Sequence, residues 1–481
     1  MKSFGNQGYF GNLLGEKLVI SRENLTKDQL HALEVMESGK NVFLTGEAGT
    51  GKTAVMEVFI HEKVTNFGNL LVTAPTGTAA NNLGGETLHR AFHAPVGVLD
   101  NRDKIKKRDP VLAITDVVII DEISMCRFDL FEYVAKRIAY ENDIRQKNRF
   151  MAKCGIGVEG GLQRDIQLIV VGDFYQLPPV MTQEDAYALQ QVYPHIDCSS
   201  GYAFKSPYWN LMEFKYINLT EIVRQDDVAF KKILSLVRSG TDKQMCISYL
   251  ENNSSVTPFD SDEAVYLTGI NKHVNEINER RLSELGGMET VFEAESSGDV
   301  RDSDKFADDV IRIKYGCRVM ITVNSPNMTY INGTMGTVIG ISNARIRIIT
   351  DDGNDVLLER ASFDITRPVV DEVERTIREM TPEGDIVIKK ITEKVIKHET
   401  VGSYSQFPIR LAYAITIHKS QGKTFEKVNI NPYCWDPGQF YTAVSRCKTI
   451  QGICFVQNIL PKYIQASREI EKKFSKQEKK K

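Results

Sequence analysis

The sequence predicts an α/β protein with two parallel-sheet domains and a small β domain inserted into the second. Three observations carry that expectation. Short apolar β-type runs alternate with helical patterns along most of the chain, the mark of parallel sheets whose binding loops lie at the carboxyl ends of the strands. One such run, Val42-Phe43-Leu44, ends in a glycine-rich turn that opens a helix. From about Phe306 to Val401 the texture changes to short alternating runs with turn signals, as in RIRIITDDGNDVLLE.

At 481 residues the chain is long enough for about three domains, each with its own core. No apolar run reaches the length needed to span a bilayer, which argues against a membrane role. The N-terminus, MKSFGNQGYFGNLLGEK, lacks a basic n-region and an unbroken apolar core, so it does not read as a signal peptide. Residues 1–20 are expected to be a flexible leader. The eight cysteines are scattered without a C-x-x-C pair, which predicts reduced thiols and a cytoplasmic setting, bacterial or phage-like. A net charge of −3 excludes a globally basic surface, so any nucleic-acid contact has to come from a local groove.

The first domain is expected over residues 21–215. LTKDQLHALEVMESG reads as an amphipathic helix with Thr26 at its N-cap and Gln29 on its first turn. In GEAGTGKT, Gly46 and Gly51 match the G-x-x-x-x-G-K-[ST] phosphate loop, and Gly49 belongs to the same turn. Small residues there let backbone N–H groups wrap a polyphosphate at a helix N-terminus. Lys52 would reach the β- and γ-phosphates, and the Thr53 hydroxyl would hold Mg²⁺. The expected ligand is a nucleoside triphosphate.

The next strand, Leu70 to Val72, runs into TAPTGTAA, and GGETLHRAFH follows. Thr73, Pro75, Thr76, Gly77 and His89 suit sugar-phosphate contacts, and Phe92 is available either to stack on a base or to pack in the core. His89 and His93 are spaced like a helical metal pair, but Arg90 stands where the zinc-protease pattern needs Glu. A small insertion is expected near residues 92–110. Strand Val117 to Ile120 delivers Asp121-Glu122 at its end, where one carboxylate can hold the Mg²⁺ shell and the other can take a proton from the attacking water. The strand from Ile166 to Val171 leads into GDFYQLPPV, whose Gln176 suits the γ-phosphate or the lytic water. Between them lies a basic excursion, residues 141–164, read as a solvated surface with a nucleic-acid groove as the sharper alternative.

The second domain is expected over residues 216–305 and 402–460. INLTEIVRQ carries Arg224, and VYLTGINKHVNEIN repeats the strand-loop-helix form with Asn271 in its loop. There is no second phosphate loop, so this half should complete a site without binding nucleotide by itself. Residues 306–401 are expected to form a small inserted antiparallel barrel, with hairpin turns at Asp351 to Asn354 and Pro382 to Asp385. In IRLAYAITIHKSQGKTF, His418, Lys419, Ser420 and Gln421 form a polar cluster fit for phosphate oxygens, with Gly422 next to it. Arg446 follows Ser445 on an expected helix, and residues 461–481 read as a basic, fraying tail.

Taken in order, LTKDQ, GEAGTGKT, TAPTGTAA, LHRAF, DEISM, GDFYQLPPV, LTEIVRQ, YINGTMGTVIG, LAYAITIHKSQGKTF and FYTAVSRCK resemble the motif series of the Pif/RecD-like branch of superfamily 1 helicases, closest to its Pif subgroup. The resemblance runs from about Leu25 to Val456. One departure is that VEGGLQ precedes GDFYQLPP where Pif-type members resemble PFGGIQ, after a longer excursion. The resemblance implies two RecA-like domains with ATP and Mg²⁺ in the cleft between them, an SH3-like insert, and movement 5′ to 3′ on single-stranded DNA. It further implies Gln29 at the adenine, Glu122 as catalytic base and Gln176 at the γ-phosphate, with Gly422 also expected at the nucleotide and Thr53 and Asp121 at the metal. Arg224 and Arg446 would be arginine fingers from the second domain, and Asn271, His418, Lys419 and Ser420 would join the first-domain loops on DNA. The implied partners are single-stranded DNA and duplex junctions, with G-quadruplexes or RNA–DNA hybrids as further candidates, for a monomer. A motor on RNA or mixed substrates, and a non-catalytic nucleic-acid-binding subunit, are the rival readings.

Overall fold

A computed structural model describes residues 21–65, 69–102, 104–105, 107–155, 163–260, 264–300, 305–323, 325, 329–330, 333–380 and 386–478. The expected leader and the turn at Pro382 to Asp385 lie outside these residues, as does part of the basic excursion.

The first sheet has six parallel strands in the order Glu86–Thr87, Leu70–Ala74, Val117–Ile120, Gln167–Val171, Val42–Gly46 and Lys215–Leu219. Alternate residues feed two cores. Phe43, Val118, Ile120, Leu168 and Val170 pack with helix Phe128–Lys153, whereas Val42, Leu44, Val117, Ile119, Ile169 and Val171 pack with helices Lys27–Glu37 and Lys52–Thr65. A sheet covered on both faces needs apolar side chains at every position, which is why its strands read as unbroken apolar runs.

The last strand corrects the boundary expected at 215/216. Lys215–Leu219 lies beside Val42–Gly46, with Lys215 opposite Val42 and Leu219 opposite Gly46, and Leu219 is buried in the first domain's core. The first domain therefore extends through this strand. The tail reading is corrected as well. Arg468–Glu478 is a helix whose Ile470 and Phe474 are buried in the first domain, with Phe474 stacked on Phe174 at 5.5 Å between ring centroids. Two apolar anchors are easily hidden among the charges of REIEKKFSKQEKKK, so the segment reads as solvated when only its composition is weighed.

The second sheet is four-stranded and parallel, in the order Ala414–Thr416, Val265–Thr268, Val428–Ile430, Ile453–Phe455. Helices Val228–Ser239, Lys243–Asn253 and Gln439–Val444 bury their apolar residues against it. Helix Asn271–Glu284 is tied to it by buried Asn278, which donates to the carbonyls of Leu411 and Ala414, both at 3.1 Å, and accepts from Ala414 N.

The inserted region is antiparallel: Asp355–Leu358, Ile346–Thr350, Met335–Ile341, Arg318–Ile321 and Ile409–Leu411, in that order. The turn at Asp351 to Asn354 falls where the sequence places it, with Gly353 at φ +82 and Thr350 N donating to Asn354 O. A long hairpin, Ala361–Met380 against Ile386–Gln406, extends from this sheet and also pairs with Glu295–Gly298. Phe292 and Ile409 share one core with the strands between them, so the β region is wider than the expected 306–401. Helix Gln183–Val192 of the first domain touches both hairpin strands. No described helix is long and apolar enough to cross a membrane.

Candidate nucleotide cleft and nucleic-acid interface

The phosphate loop bridges strand Val42–Gly46 and helix Lys52–Thr65. Gly49 and Gly51 take φ +84 and +77, and a Cβ on Gly51 would stand 2.4 Å from Gln29 Nε2, so only glycine fits there. Lys52 Nζ donates to the loop carbonyls of Gly46 at 2.8 Å and Glu47 at 3.0 Å. Burial lowers its pKa, and the carboxylates of Asp173 and Glu122 oppose that shift. Thr53 is exposed on the first helical turn. Gln29 is 3% exposed; its Oε1 accepts from Thr26 N and its Nε2 donates to Thr50 O, both at 2.9 Å. The structure thus ties Gln29 to the phosphate loop itself.

Asp121 and Glu122 emerge together from strand Val117–Ile120. Burial and the charge of Glu122 push the Asp121 carboxyl up to about 7, against the hydrogen bond from Glu122 N and the charge of Lys52. Glu122 holds a left-handed backbone, φ +48, uncommon for a residue with a β-carbon. Its Oε2 accepts from Gln421 Nε2 of the second domain at 3.4 Å, and Gly422, at φ +77, follows directly. Buried Gln176 accepts at Oε1 from Arg446 Nη2 at 3.1 Å. Arg446 also donates from Nε to Thr442 O at 3.1 Å, and burial together with the charge of Arg224 lowers its pKa to about 10. Arg224 Nη1 donates to Ser445 O at 3.1 Å, while the backbone N of Arg224 reaches Gly49 O at 3.1 Å. Lys52, Glu122, Gln176, Arg224 and Arg446 therefore line one cleft.

Oxygen donors suit Mg²⁺, and the cleft offers them: the Thr53 hydroxyl and an Asp121 carboxylate crowded by Glu122, a charge pair that a divalent cation relieves. The chemistry of these groups fits the implied ion.

Sequence reasoning missed several groups that cross the cleft. Tyr441 hydroxyl accepts from Ala48 N at 2.7 Å, and Ser235 Oγ donates to Glu47 Oε1 at 2.7 Å. Tyr441 sits inside FYTAVSRCK and was within reach of that motif; Ser235 carries no signal in the sequence.

The nucleic-acid candidates divide. Three are corrected by burial: Phe92 is 2% exposed and packs in the first domain's core, while Thr73 and Ser420 are fully buried. The Thr73 hydroxyl donates to Ile119 O at 2.6 Å and the Ser420 hydroxyl to Ile417 O at 2.7 Å, so both are used inside the fold. Pro75, Thr76 and Gly77 are half-buried at the carboxyl end of strand Leu70–Ala74. His89 is also half-buried, and burial with the nearby Arg127 charge lowers its pKa. Half-buried His418 is lowered by burial in the same way. Asn271, exposed at the start of its helix, lines with Lys419 a groove of about 550 Å³ between the second domain and the β region. Lys305 and Arg410 line it too, and burial and the charge of Arg410 lower the Lys419 pKa to about 8. The basic excursion is mostly the end of helix Phe128–Lys153. Its Arg145 is 2% exposed and donates to Leu112 O at 2.7 Å, Thr115 O at 2.9 Å and Arg164 O at 2.8 Å, an internal tie and not a groove wall.

Known proteins share this chain's sequence and fold. The family model described as PIF1-like helicase matches residues 24–244. The ATP-dependent DNA helicase Pif1 of Campylobacter jejuni is 31% identical over 443 residues, 86% of this chain and 88% of the relative. Pif1 helicase from Bacteroides in complex with ADP-AlF3 and ssDNA superposes with a TM-score of 0.73 at 27% identity, covering 95% of this chain and 97% of that one. Unliganded Pif1 from Bacteroides gives 0.58 at 26% identity, covering 95% of this chain and 97% of that one. A relative so similar along nearly the whole of both chains settles the kinship: this chain belongs to the Pif1-like helicases.

Proposed function

We propose that this chain is an ATP-dependent DNA helicase that moves along single-stranded DNA, 5′ to 3′, and separates duplexes as its cleft closes on ATP and opens after hydrolysis. The observation that carries the mechanism is the contact of Gln176 in the first domain with Arg446 in the second, at 3.1 Å, which joins from opposite sides of the cleft the two groups proposed to meet the γ-phosphate. Phosphoryl transfer asks a protein mainly to position groups and stabilise charge. Lys52 supplies a cation to the β/γ-phosphates, Glu122 accepts the water's proton, Gln176 orients the water or γ-phosphate, and Arg224 and Arg446 meet the charge that develops. Thr53 and Asp121 would hold Mg²⁺, which offsets polyphosphate charge. The relative's name and the ssDNA complex support DNA as the track.

Pro75 to Gly77, His89, Asn271, His418 and Lys419 are proposed to hold the strand. Duplex junctions follow as substrates, G-quadruplexes and RNA–DNA hybrids are the finer candidates, and the chain acts as a monomer. The non-catalytic reading is disfavoured because Lys52, Glu122 and Arg446 meet in one cleft. Strand displacement on duplexes with a 5′ or a 3′ single-stranded tail tests the proposal. Unwinding of the 5′-tailed substrate alone is expected; unwinding of the 3′-tailed one alone would overturn the polarity. Equal ATPase stimulation by RNA would move the reading to a mixed-substrate motor.

A further inference from the structure

Helix Val228–Ser239 of the second domain holds two first-domain loops at once. Ser235 and Arg238 stand three residues apart, on one face of the helix. Ser235 takes the phosphate loop through Glu47, as described. Arg238 takes the loop that carries Gln176, meeting Asp173 with a two-pronged contact: Nη2 to Oδ1 at 2.8 Å and Nε to Oδ2 at 3.0 Å. Its guanidinium also lies over the Tyr175 ring, 4.0 Å from the centroid. Asp173 is fully buried, and the Arg238 side chain is 12% exposed.

Asp173 in turn shapes the loop from within. Its Oδ1 accepts from Tyr175 N at 3.1 Å and its carbonyl accepts from Gln176 N at 3.0 Å. Gln176 then reaches Arg446. A buried carboxylate that loses its cation is costly, so the seat of this turn depends on Arg238 being in place. Domain separation would part the pair, because its two members come from opposite sides of the cleft.

We propose that Arg238 is a positioning residue for ATP turnover: through Asp173 it fixes the turn that aims Gln176 at the γ-phosphate, and it does so only when the cleft is closed. This rests on the ATPase reading of the cleft. The test is DNA-stimulated ATP hydrolysis, KM for ATP and melting temperature for Arg238→Gln, Arg238→Lys, Asp173→Asn and the double variant Asp173→Asn/Arg238→Gln. Arg238→Gln is expected to lose about a hundredfold in kcat, the scale of a misplaced reacting group. KM should stay within about threefold, and the double variant should be no worse than the worse single one, because the two act as a unit. Arg238→Lys, which keeps the charge and loses the fork, should fall between. Losses that multiply in the double variant, or kcat and KM that move together with a falling melting temperature, would overturn the positioning role. If Arg238→Gln does not fold, Arg238→Lys decides: reduced kcat at an unchanged melting temperature supports the role, and wild-type kcat ends it. Lys52→Ala measured alongside separates the two claims, since turnover by that variant would sink the ATPase reading, whereas its inactivity beside a fully active Arg238→Gln would sink the positioning role alone.

Discussion

Gly438 of the second domain approaches Gln176 of the first so closely that a β-carbon at position 438 would stand 2.5 Å from the Gln176 carbonyl oxygen and 2.4 Å from that of Tyr175. Its φ of +78 adds a second reason for glycine. Gly438→Ala is therefore expected to hinder closure of the cleft and cut DNA-stimulated turnover sharply. The backbone strain itself should cost roughly 1–3 kcal/mol, visible as a lower melting temperature. Wild-type turnover would mean that hydrolysis does not need the two backbones this close.

The contact of Gln176 with Arg446 makes a second expectation. A finger supplied across a cleft carries about three to five orders of magnitude in rate, so Arg446→Ala should lose most turnover while nucleotide titration changes little. Adding Gln176→Ala should cost far less than its own loss measured alone, because the two stabilise one transition state. Strict multiplication of the two losses would separate their roles.

Glu122→Gln keeps the shape of the carboxylate and removes its basicity. Hydrolysis should fall by about two to four orders of magnitude with ATP affinity nearly unchanged, measured by single-turnover kinetics beside titration. Collapse of affinity would instead place Glu122 in the metal shell.

How much of this was legible in the sequence depends on how far apart the interacting parts lie. The phosphate loop, the Asp121-Glu122 pair and the first-domain strands are local patterns, and each stands where its residues predict. Sequence alone puts the start of Lys215–Leu219 at a domain boundary because a strand's period names its type and not its neighbour; only its register against Val42–Gly46 decides. Phe92 offered two readings, and its burial beside helix Phe128–Lys153 chose the core. Arg238 was invisible for the same reason: an arginine on an amphipathic helix looks solvated until Asp173, far away in sequence, is placed opposite it.

Lys419 links the interface to pH. Burial and Arg410 bring its pKa to about 8, so the ammonium is charged below that pH and neutral above it. A contact to a phosphate needs the charged form, so single-stranded DNA affinity should weaken as pH rises from 7 to 9. Fluorescence anisotropy across that range is the measurement, and Lys419→Arg should flatten the curve because guanidinium stays charged. An identical pH curve for wild type and Lys419→Arg would remove Lys419 from the DNA contact.

Movement and strand separation should come apart in the hairpin Ala361–Met380 and Ile386–Gln406. Fully extended strands of this length span about 65 Å at the usual rise per residue, far longer than the sheet they leave. None of the cleft residues comes from it, and the residues that line the groove holding Lys419, from Asn271 and Glu279 to Lys305, Met320 and Arg410, all lie outside the hairpin. Hydrolysis and single-strand binding are thus built without its outer half. Separation of a duplex needs something more, a rigid body carried on the moving half that meets the junction while the tracked strand is held. The hairpin is rooted in the second half of the chain by its pairing with Glu295–Gly298 and touches helix Gln183–Val192 of the first, so it is placed to feel the cleft close. Joining Val370 to Ile396, which face each other in the ladder, through an Asn-Gly turn removes the outer half with a loop suited to a two-residue hairpin. The shortened protein is expected to keep its DNA-stimulated ATPase and lose most strand displacement on a 5′-tailed duplex. Full displacement by a well-folded shortened protein would put the wedge elsewhere, in the segment from Val98 to Pro110 of the first domain.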